Sequence, residues 1–532
     1  MPQPFVTHQC LLSTLSPLHL GCGQDYQPTG YVMRDGYLHA FGEQQLAQGL
    51  GSQGIKRILD IIERGDDSAL RGVQNEIHKQ ADKLVPLASH SVWAAPGVCD
   101  LYQKRVGQVA QREERRSTHN KLEIQRTFAN PHDQRPVLTG SAVKGAIRTA
   151  WLDYLNNSQR LERGEKSKEL QQRLLQSGRV EEDPFYLLKV SDASYVHPDK
   201  LMPGEIWFAV SRKRQPKPDR SPASVYAMLE CIGSWRSRCF DFDIRFLDDS
   251  LRTTSKRVPR SRDQLVNVCN RYYLPKLMRE LKQLIEADYL DNAWLKAVNE
   301  LLAGELGESL KTDRAMLLRL GKHSGAEDKT LNGVRSIKIL GGKGNPPSNR
   351  AETTEVRLAA GNLKDQHQLL PFGWVLVEFS DQLLEESQGV IRGAAEPIYQ
   401  RQQQEQAWIV LREQARESLL HEAKEQARRK ADQQAAEAAE QRRAQELASQ
   451  PLEVQIIEAF RVQLATDVAS KGNGLGSALG QALRDFIEQA AQWSPQYRIT
   501  AKQLANDAFS HLDVNRKKNA KAKDLWRILG DE

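Results

Sequence analysis

Leu138-Thr139-Gly140-Ser141-Ala142-Val143-Lys144-Gly145-Ala146-Ile147-Arg148 joins a strand end, a glycine turn and a basic helix start in one short run. Val137 and Leu138 close an apolar stretch and Gly140 frees the backbone to turn. Ser141 then stands where it would cap a helix continuing through Ala146, Ile147, Ala150, Trp151 and Leu155. A helix start carries unpaired backbone N–H groups and the positive end of the dipole, so it favours anions. Lys144 and Arg148 sit four residues apart on one face near that end, where cations are unfavourable unless a polyanion offsets them. Gly145, which costs about 1 kcal/mol against alanine inside a helix, makes sense where a ligand or another backbone comes close. The run is not a P-loop, because its lysine precedes the glycine and no Ser or Thr follows as required. A phosphate seat and a plain strand-to-helix joint with solvated cations both fit these residues.

Leu138 to Arg148 resembles the glycine-rich strand-to-helix segment of the RAMP superfamily, the RNA-binding proteins of CRISPR effector complexes. Leu18-His19-Leu20-Gly21-Cys22-Gly23, then Tyr26-Gln27-Pro28-Thr29-Gly30-Tyr31-Val32 and Asp35-Gly36, are similar to the opening of the type III-A (Csm complex) subunit at the 3′ end of the CRISPR RNA. Ile124-Gln125-Arg126-Thr127, Val190-Ser191-Asp192 and Pro371-Phe372-Gly373-Trp374-Val375 match further segments, and the resemblance covers roughly residues 5 to 380. It implies crRNA and the other RAMP subunits of a type III effector complex as partners, with host nucleases as a further class, and no cofactor.

At 532 residues the chain is too long for one ordinary core. Its net charge of +7 is modest, so a basic surface for RNA has to be concentrated in one place. Six cysteines show no CxxC pair and no histidines at zinc spacing, so they read as reduced thiols and no metal site is expected. No apolar run reaches the ~20 residues that span a bilayer, and no signal layout opens the chain, so a cytoplasmic protein without membrane contact is expected.

In chain order, Phe5 to Leu20 reads as a strand, and Tyr31 to Phe41 as a hairpin turning at Asp35-Gly36. Residues from about 43 to 123 read as a helical insertion ending in a basic loop at Arg112-Glu113-Glu114-Arg115-Arg116. Strands are expected at 185–191 and 206–210, followed by a basic, proline-rich linker at 212–220, and helices from about 262 to 306. The expected class is α+β: two ferredoxin-like (RRM-like) RAMP units at 1–158 and 159–388, the first with the insertion. A long charged spacer helix at 389–450, roughly 70 Å at ~1.5 Å per residue, and a small helical domain at 451–532 complete an all-α C-terminal extension.

Further glycine-plus-cation loops carry the second half: Gly321-Lys322-His323-Ser324-Gly325, then Lys329, Gly333, Arg335 and Lys338, then Gly341-Gly342-Lys343-Gly344. Glycines let successive N–H groups converge on an anion. Gly21, Gly23, Arg126, Gly140, Ser141, Lys144, Arg148, Lys322, Lys329, Arg335, Lys338 and Lys343 are therefore the candidate RNA contacts, in a groove tracking an RNA backbone. The related processing endoribonucleases of the superfamily use a histidine on a 2′-hydroxyl. Of His8, His19, His119 and His132, His19 beside the first glycine loop is the candidate for that alternative. The preferred reading is a non-catalytic crRNA-binding subunit. The alternatives are a RAMP endoribonuclease processing CRISPR RNA and a generic RNA-binding scaffold.

Overall fold

The computed structural model describes residues 5–64, 69–108, 112–113, 116–117, 122–160, 165–196, 202–216, 225–248, 257–339 and 346–530. Two compact units divide the chain, Met1–Glu417 and Ser418–Glu532. Of the basic loop expected at 112–116, Arg112, Glu113 and Arg116 instead form a two-stranded ribbon while 114–115 lie outside the described residues; of the linker expected at 212–220, Arg212 and Lys213 end a strand while 217–220, like His119 and Lys343, lie outside the described residues.

The first unit begins with strands β1 (Phe5–Thr14), β2 (Gly21–Tyr26), β3 (Tyr31–Arg34) and β4 (Tyr37–Ala40). Asp35 and Gly36 hold φ of 51° and 81° between the last two, which is the left-handed pair that a tight Asp-Gly hairpin needs. Helices α1 (Glu43–Glu63), α2 (Ala69–Lys79) and α3 (Ala81–Leu84) follow, then β5 (His90–Ala94), α4 (Pro96–Arg105), β6 (Arg112–Glu113), β7 (Arg116–Ser117), β8 (Ile124–Thr127) and β9 (Val137–Leu138). Next come α5 (Gly140–Asn156), α6 (Ser167–Leu175), β10 (Leu188–Val190), β11 (Ala193–Ser194), β12 (Gly204–Lys213), β13 (Tyr226–Ile232) and β14 (Arg236–Leu247). Then run α7 (Arg262–Glu286), α8 (Asn292–Ala303), α9 (Glu305–Lys311), β15 (Met316–Arg319), β16 (Ile337–Ile339), β17 (Ser348–Arg350), β18 (Glu355–Ala360), β19 (Leu370–Pro371), β20 (Trp374–Phe379) and α10 (Glu385–Ala448).

Two sheets organise the unit. The first has the order β10-β14-β1-β20-β15, antiparallel throughout. Helices α5 and α7 share its core, the Tyr273 hydroxyl donating to the Ala146 carbonyl and Asn270 bonding the backbone of Ala315 and Leu317. The second runs β2-β8-β13-β12-β5-β4-β3, with β18 added along the far half of β12. The boundary at 158 does not separate two sheets, because β1 lies between β14 and β20, more than two hundred residues away. The insertion is not wholly helical: β5 within it pairs with both β4 and β12. Residues 184–187 form a 3-10 turn opened by Pro184, leaving a strand only at 188–190.

The tail boundary also moves. The spacer helix was expected to start free of the body at 389, yet Leu384, Gln388, Ile391 and Ala395 are buried with the main core. Gln388 donates to Ser13 Oγ at 3.1 Å and accepts from Ser237 Oγ at 2.7 Å. Beyond Phe379 every described element is a helix. In the second unit α11 (Leu452–Thr466), α12 (Ala478–Ala490), α13 (Pro495–His511) and α14 (Ala520–Ile528) enclose a core of their own, with Phe460 stacked on Phe486 at 4.3 Å. Ser477 and Asn519 cap α12 and α14 by accepting from Gly480 and Ala522.

Candidate nucleic-acid interface

The helix start at Gly140 is built by close packing. A Cβ at Gly140 would stand 2.2 Å from the Val190 carbonyl oxygen, and the Gly140 N–H donates to Asp192 Oδ1 at 2.7 Å. One of the N–H groups expected to face a phosphate is thus taken by a carboxylate. Thr139, not Ser141, holds the cap position, without a side-chain cap bond, and Ser141 is exposed inside the first turn.

Arg148 is held by the protein itself. It pairs with Asp183 at 2.7 Å and lies 5.0 Å from the Phe185 ring centre, tying α5 to the turn before β10. Lys144 makes no hydrogen bond or ion pair among the described residues. Burial first, then the neighbouring charge of Lys189, pulls its ammonium below the usual lysine range, with Asp183 opposing. Lys189, exposed on β10, sits 5.7 Å from the ring centre of exposed Tyr186. Gly145 is exposed, with nothing within 4 Å of where its Cβ would be. Lys189 and Tyr186 were missed in the sequence because Pro184-Phe185-Tyr186-Leu187 reads as strand, a pattern that gives no reason to expect an outward aromatic beside a lysine.

The first glycine turn joins this region through one hydrogen-bonded run. Phe128 N–H donates to the Leu20 carbonyl, Val137 N–H to the Phe128 carbonyl, and β9 pairs with β11. Gly21 pairs opposite Thr127, and Gly23 holds φ of 77° with open space around it. Lys322 comes to the same place: its N–H donates to the His19 carbonyl and its ammonium to Gln125 Oε1. Arg319, buried and paired with Glu280 and Asp328, anchors the loop that carries it. Arg126 turns inward, its guanidinium 4.6 Å from the Tyr26 ring centre and bonded to Gln134.

The remaining candidates lie elsewhere. Arg335 bonds its own loop at Thr330 and Asn332, and Asn332 in turn bonds Asp153, about 14 Å along α5 from Lys144 at ~1.5 Å per residue. Lys329 is exposed in the turn leading into that loop, and Lys338 is exposed on the separate β16–β17 ribbon. Among the described residues the glycine loops therefore divide between the two ends of α5 instead of lining one continuous path.

His19 is 2% exposed, and its Nδ1 lies 2.6 Å from the Glu230 carbonyl oxygen. A carbonyl only accepts, so Nδ1 carries the proton, and burial lowers the ring's pKa. Glu230, buried and with its pKa raised by that burial, accepts from the Tyr26 hydroxyl and Thr127 N–H, while His90 Nε2 lies 2.8 Å from that hydroxyl. The network braces β2, β5, β8 and β13. Among the described residues no group of three His, Cys, Asp or Glu side chains is placed to hold a metal ion, and no helix is long and apolar enough to cross a membrane.

Acid should weaken the fold through the buried histidines. Burial, reinforced by Lys322, lowers His323 to about 3, and burial with Arg126 lowers His90 to about 4, against 6.5 unfolded. The folded pKa values are the lower ones, so their contribution is complete above pH 6.5. It is lost as pH falls towards 4 and then 3, by about 1.4 kcal/mol per pH unit for each proton taken up. Denaturant midpoints measured between pH 7.5 and 5 should fall. A flat profile would mean that these rings are protonated without penalty in the native state.

A profile described as the RAMP superfamily matches residues 11–321. The CRISPR system Cms protein Csm5 of Methanocaldococcus jannaschii is 23% identical over 349 residues, 61% of this chain and 73% of that protein. Among solved structures, a chain of the cryo-EM Csm–crRNA–target RNA ternary complex of a type III-A CRISPR–Cas system is 18% identical with a TM-score of 0.39, the match covering 70% of this chain and 100% of that one. The crystal structure of T. onnurineus Csm5 gives 18% and 0.40, covering 69% and 99%. The profile spans β2, β8, the Gly140 helix start and the strand leading to Lys322, more than half of the chain, and the protein belongs to the RAMP superfamily.

Proposed function

We propose that this protein is a non-catalytic crRNA-binding subunit of a type III-A CRISPR effector complex. In this reading it grips the 3′ region of the crRNA, closes that end of the filament beside other RAMP subunits, and serves crRNA maturation and antiviral defence. Host nucleases acting in maturation are a further class of partner. The antiparallel strands β14-β1-β20-β15 with α5 and α7 are read as one ferredoxin-like unit, and the second sheet as its counterpart. The observation that carries the proposal is the surface around the α5 start: Lys144, unpaired among the described residues, exposed Lys189 and Tyr186, and open Gly145. Cations track a phosphate backbone there while an exposed ring offers a face to a base. Similarity to Csm5 supports the same reading. The burial of His19 weighs against the endoribonuclease alternative, which needs a base in reach of a 2′-hydroxyl.

Binding of a fluorescent single-stranded crRNA at several salt concentrations tests it. Replacing Lys144 and Lys189 together by alanine should lower the salt slope by about 1.4, at ~0.7 per phosphate for single strands, whatever the sequence. RNA shortened from its 3′ end should lose affinity while RNA shortened from the 5′ end keeps it, and all of it should stay intact with or without magnesium. An unchanged slope would remove this surface from the binding site, and cleavage lost in His19→Ala would restore the endoribonuclease.

A further inference from the structure

The first turns of α10 lie beside β12, α8 and the turn between β13 and β14, leaving a cavity of about 680 Å³. That volume falls within the ~300–1,000 Å³ common for small-molecule sites. Trp207, Trp235 and Trp294 supply its apolar wall, and Ser234, Glu205 and Arg401 its polar end.

The polar end is short of one negative charge. Arg236 donates to Glu205 Oε1 at 3.0 Å, and Arg401 lies 3.8 Å from the same oxygen, while the Trp207 indole N–H occupies Oε2. Two guanidiniums thus share one buried carboxylate. Arg401 is held 4.0 Å over the Trp93 ring, its Nε has no hydrogen-bond partner among the described residues, and burial lowers its pKa. Ser234, 4% exposed, also has an Oγ without a partner. Trp235 beside it is buried at φ of 59°, a conformation that is strained for a bulky side chain.

The room is made by glycine. Gly389 and Gly393 lie four residues apart on the same face of α10, and both line the cavity. A Cβ at either would meet nothing within 4 Å, so no packing within the protein requires them. Each weakens the helix relative to alanine. Asp291, Glu300 and Glu386 against Lys296 make the rest of the lining net acidic, which disfavours nucleotides and other multiply charged anions.

We propose that this cavity binds a small monocarboxylate with an apolar or aromatic body, its carboxylate on Arg401 and Ser234 and its body between the tryptophans and the two glycines. The site is independent of the RNA surface. Full-length protein titrated by calorimetry with phenylacetate, indole-3-acetate and octanoate should bind at least one of them saturably, and AMP should not compete. Gly393→Leu should weaken binding at least tenfold while the melting temperature holds or rises, Arg401→Gln should weaken it about tenfold, and crRNA affinity should not change. If Gly393→Leu fails to fold, the double variant Gly389→Ala, Gly393→Ala serves, with a higher melting temperature and weaker binding expected. No saturable binding by any of the three, binding indifferent to the glycine variants, or equal competition by AMP would each overturn the proposal.

Discussion

A chain ended at Gln388 should lose its main body, and one ended after Glu417 should keep it. The shorter chain lacks Ile391 and Ala395, both buried in the core, and the partly buried Val390, Ala394, Ile398 and Tyr399 packed against it. It also leaves Gln388 at a frayed terminus, although its amide bonds the Ser13 and Ser237 hydroxyls. Losing one buried isoleucine side chain costs about 2–5 kcal/mol. With the neighbouring losses the total rivals the ~5–15 kcal/mol that holds a whole domain together. Circular dichroism melts of the two truncations should therefore differ by tens of degrees or in solubility outright. Equal melts would show that the first turns of α10 merely lean on the body. Residues 451–532 should melt cooperatively by themselves, because their core closes among α11 to α14.

The second large effect separates two glycines five residues apart. At Gly140 an alanine Cβ would collide with backbone, at 2.2 Å from the Val190 oxygen and 2.8 Å from the Ser191 oxygen, and neither can rotate away. Helix propensity alone would reward Gly140→Ala by about 1 kcal/mol, yet the strain of overpacking reverses the sign and costs about 3 kcal/mol or more. Gly145→Ala meets open space and should stabilise the fold by about 1 kcal/mol. If RNA approaches the helix there, Gly145→Leu should weaken crRNA binding without lowering the melting temperature. Chemical denaturation of the two alanine variants decides the first point. A tolerated Gly140→Ala would mean that α5 slides freely on the β10–β11 connection.

The parts of the molecule that local chemistry decides were legible in the sequence. The Asp35-Gly36 hairpin, the strand-to-helix joint at 138–140 and the apolar set of the terminal helices, from Phe460 to Leu525, follow from turn residues and helical spacing. Partners far along the chain were not. Nothing in Phe5–Thr14 says that its neighbours are Arg236–Leu247 and Trp374–Phe379, and so the units were drawn in series when the strands interleave. The candidate site failed in the same way. Arg148 looks free beside Lys144 until Asp183 arrives from another element, and Arg335 looks like a phosphate ligand until Thr330 and Asn332 take its N–H groups. The same energetic reason was open to both cations of the helix start, yet among the described residues only Lys144 is without a partner, and Gly145 beside it is open.

The central position of β1 also sets a clock on biosynthesis. The strand is made well before either neighbour, and the second of them is not complete until Phe379. At ~5–20 residues per second, the 359 residues between Thr14 and Trp374 take roughly 20 to 70 s to translate. For that interval the nascent chain carries an unsatisfied strand edge, a template for pairing with other chains. Expression at a slowed elongation rate lengthens the exposure, so the yield of native protein depends on what shields the waiting strand.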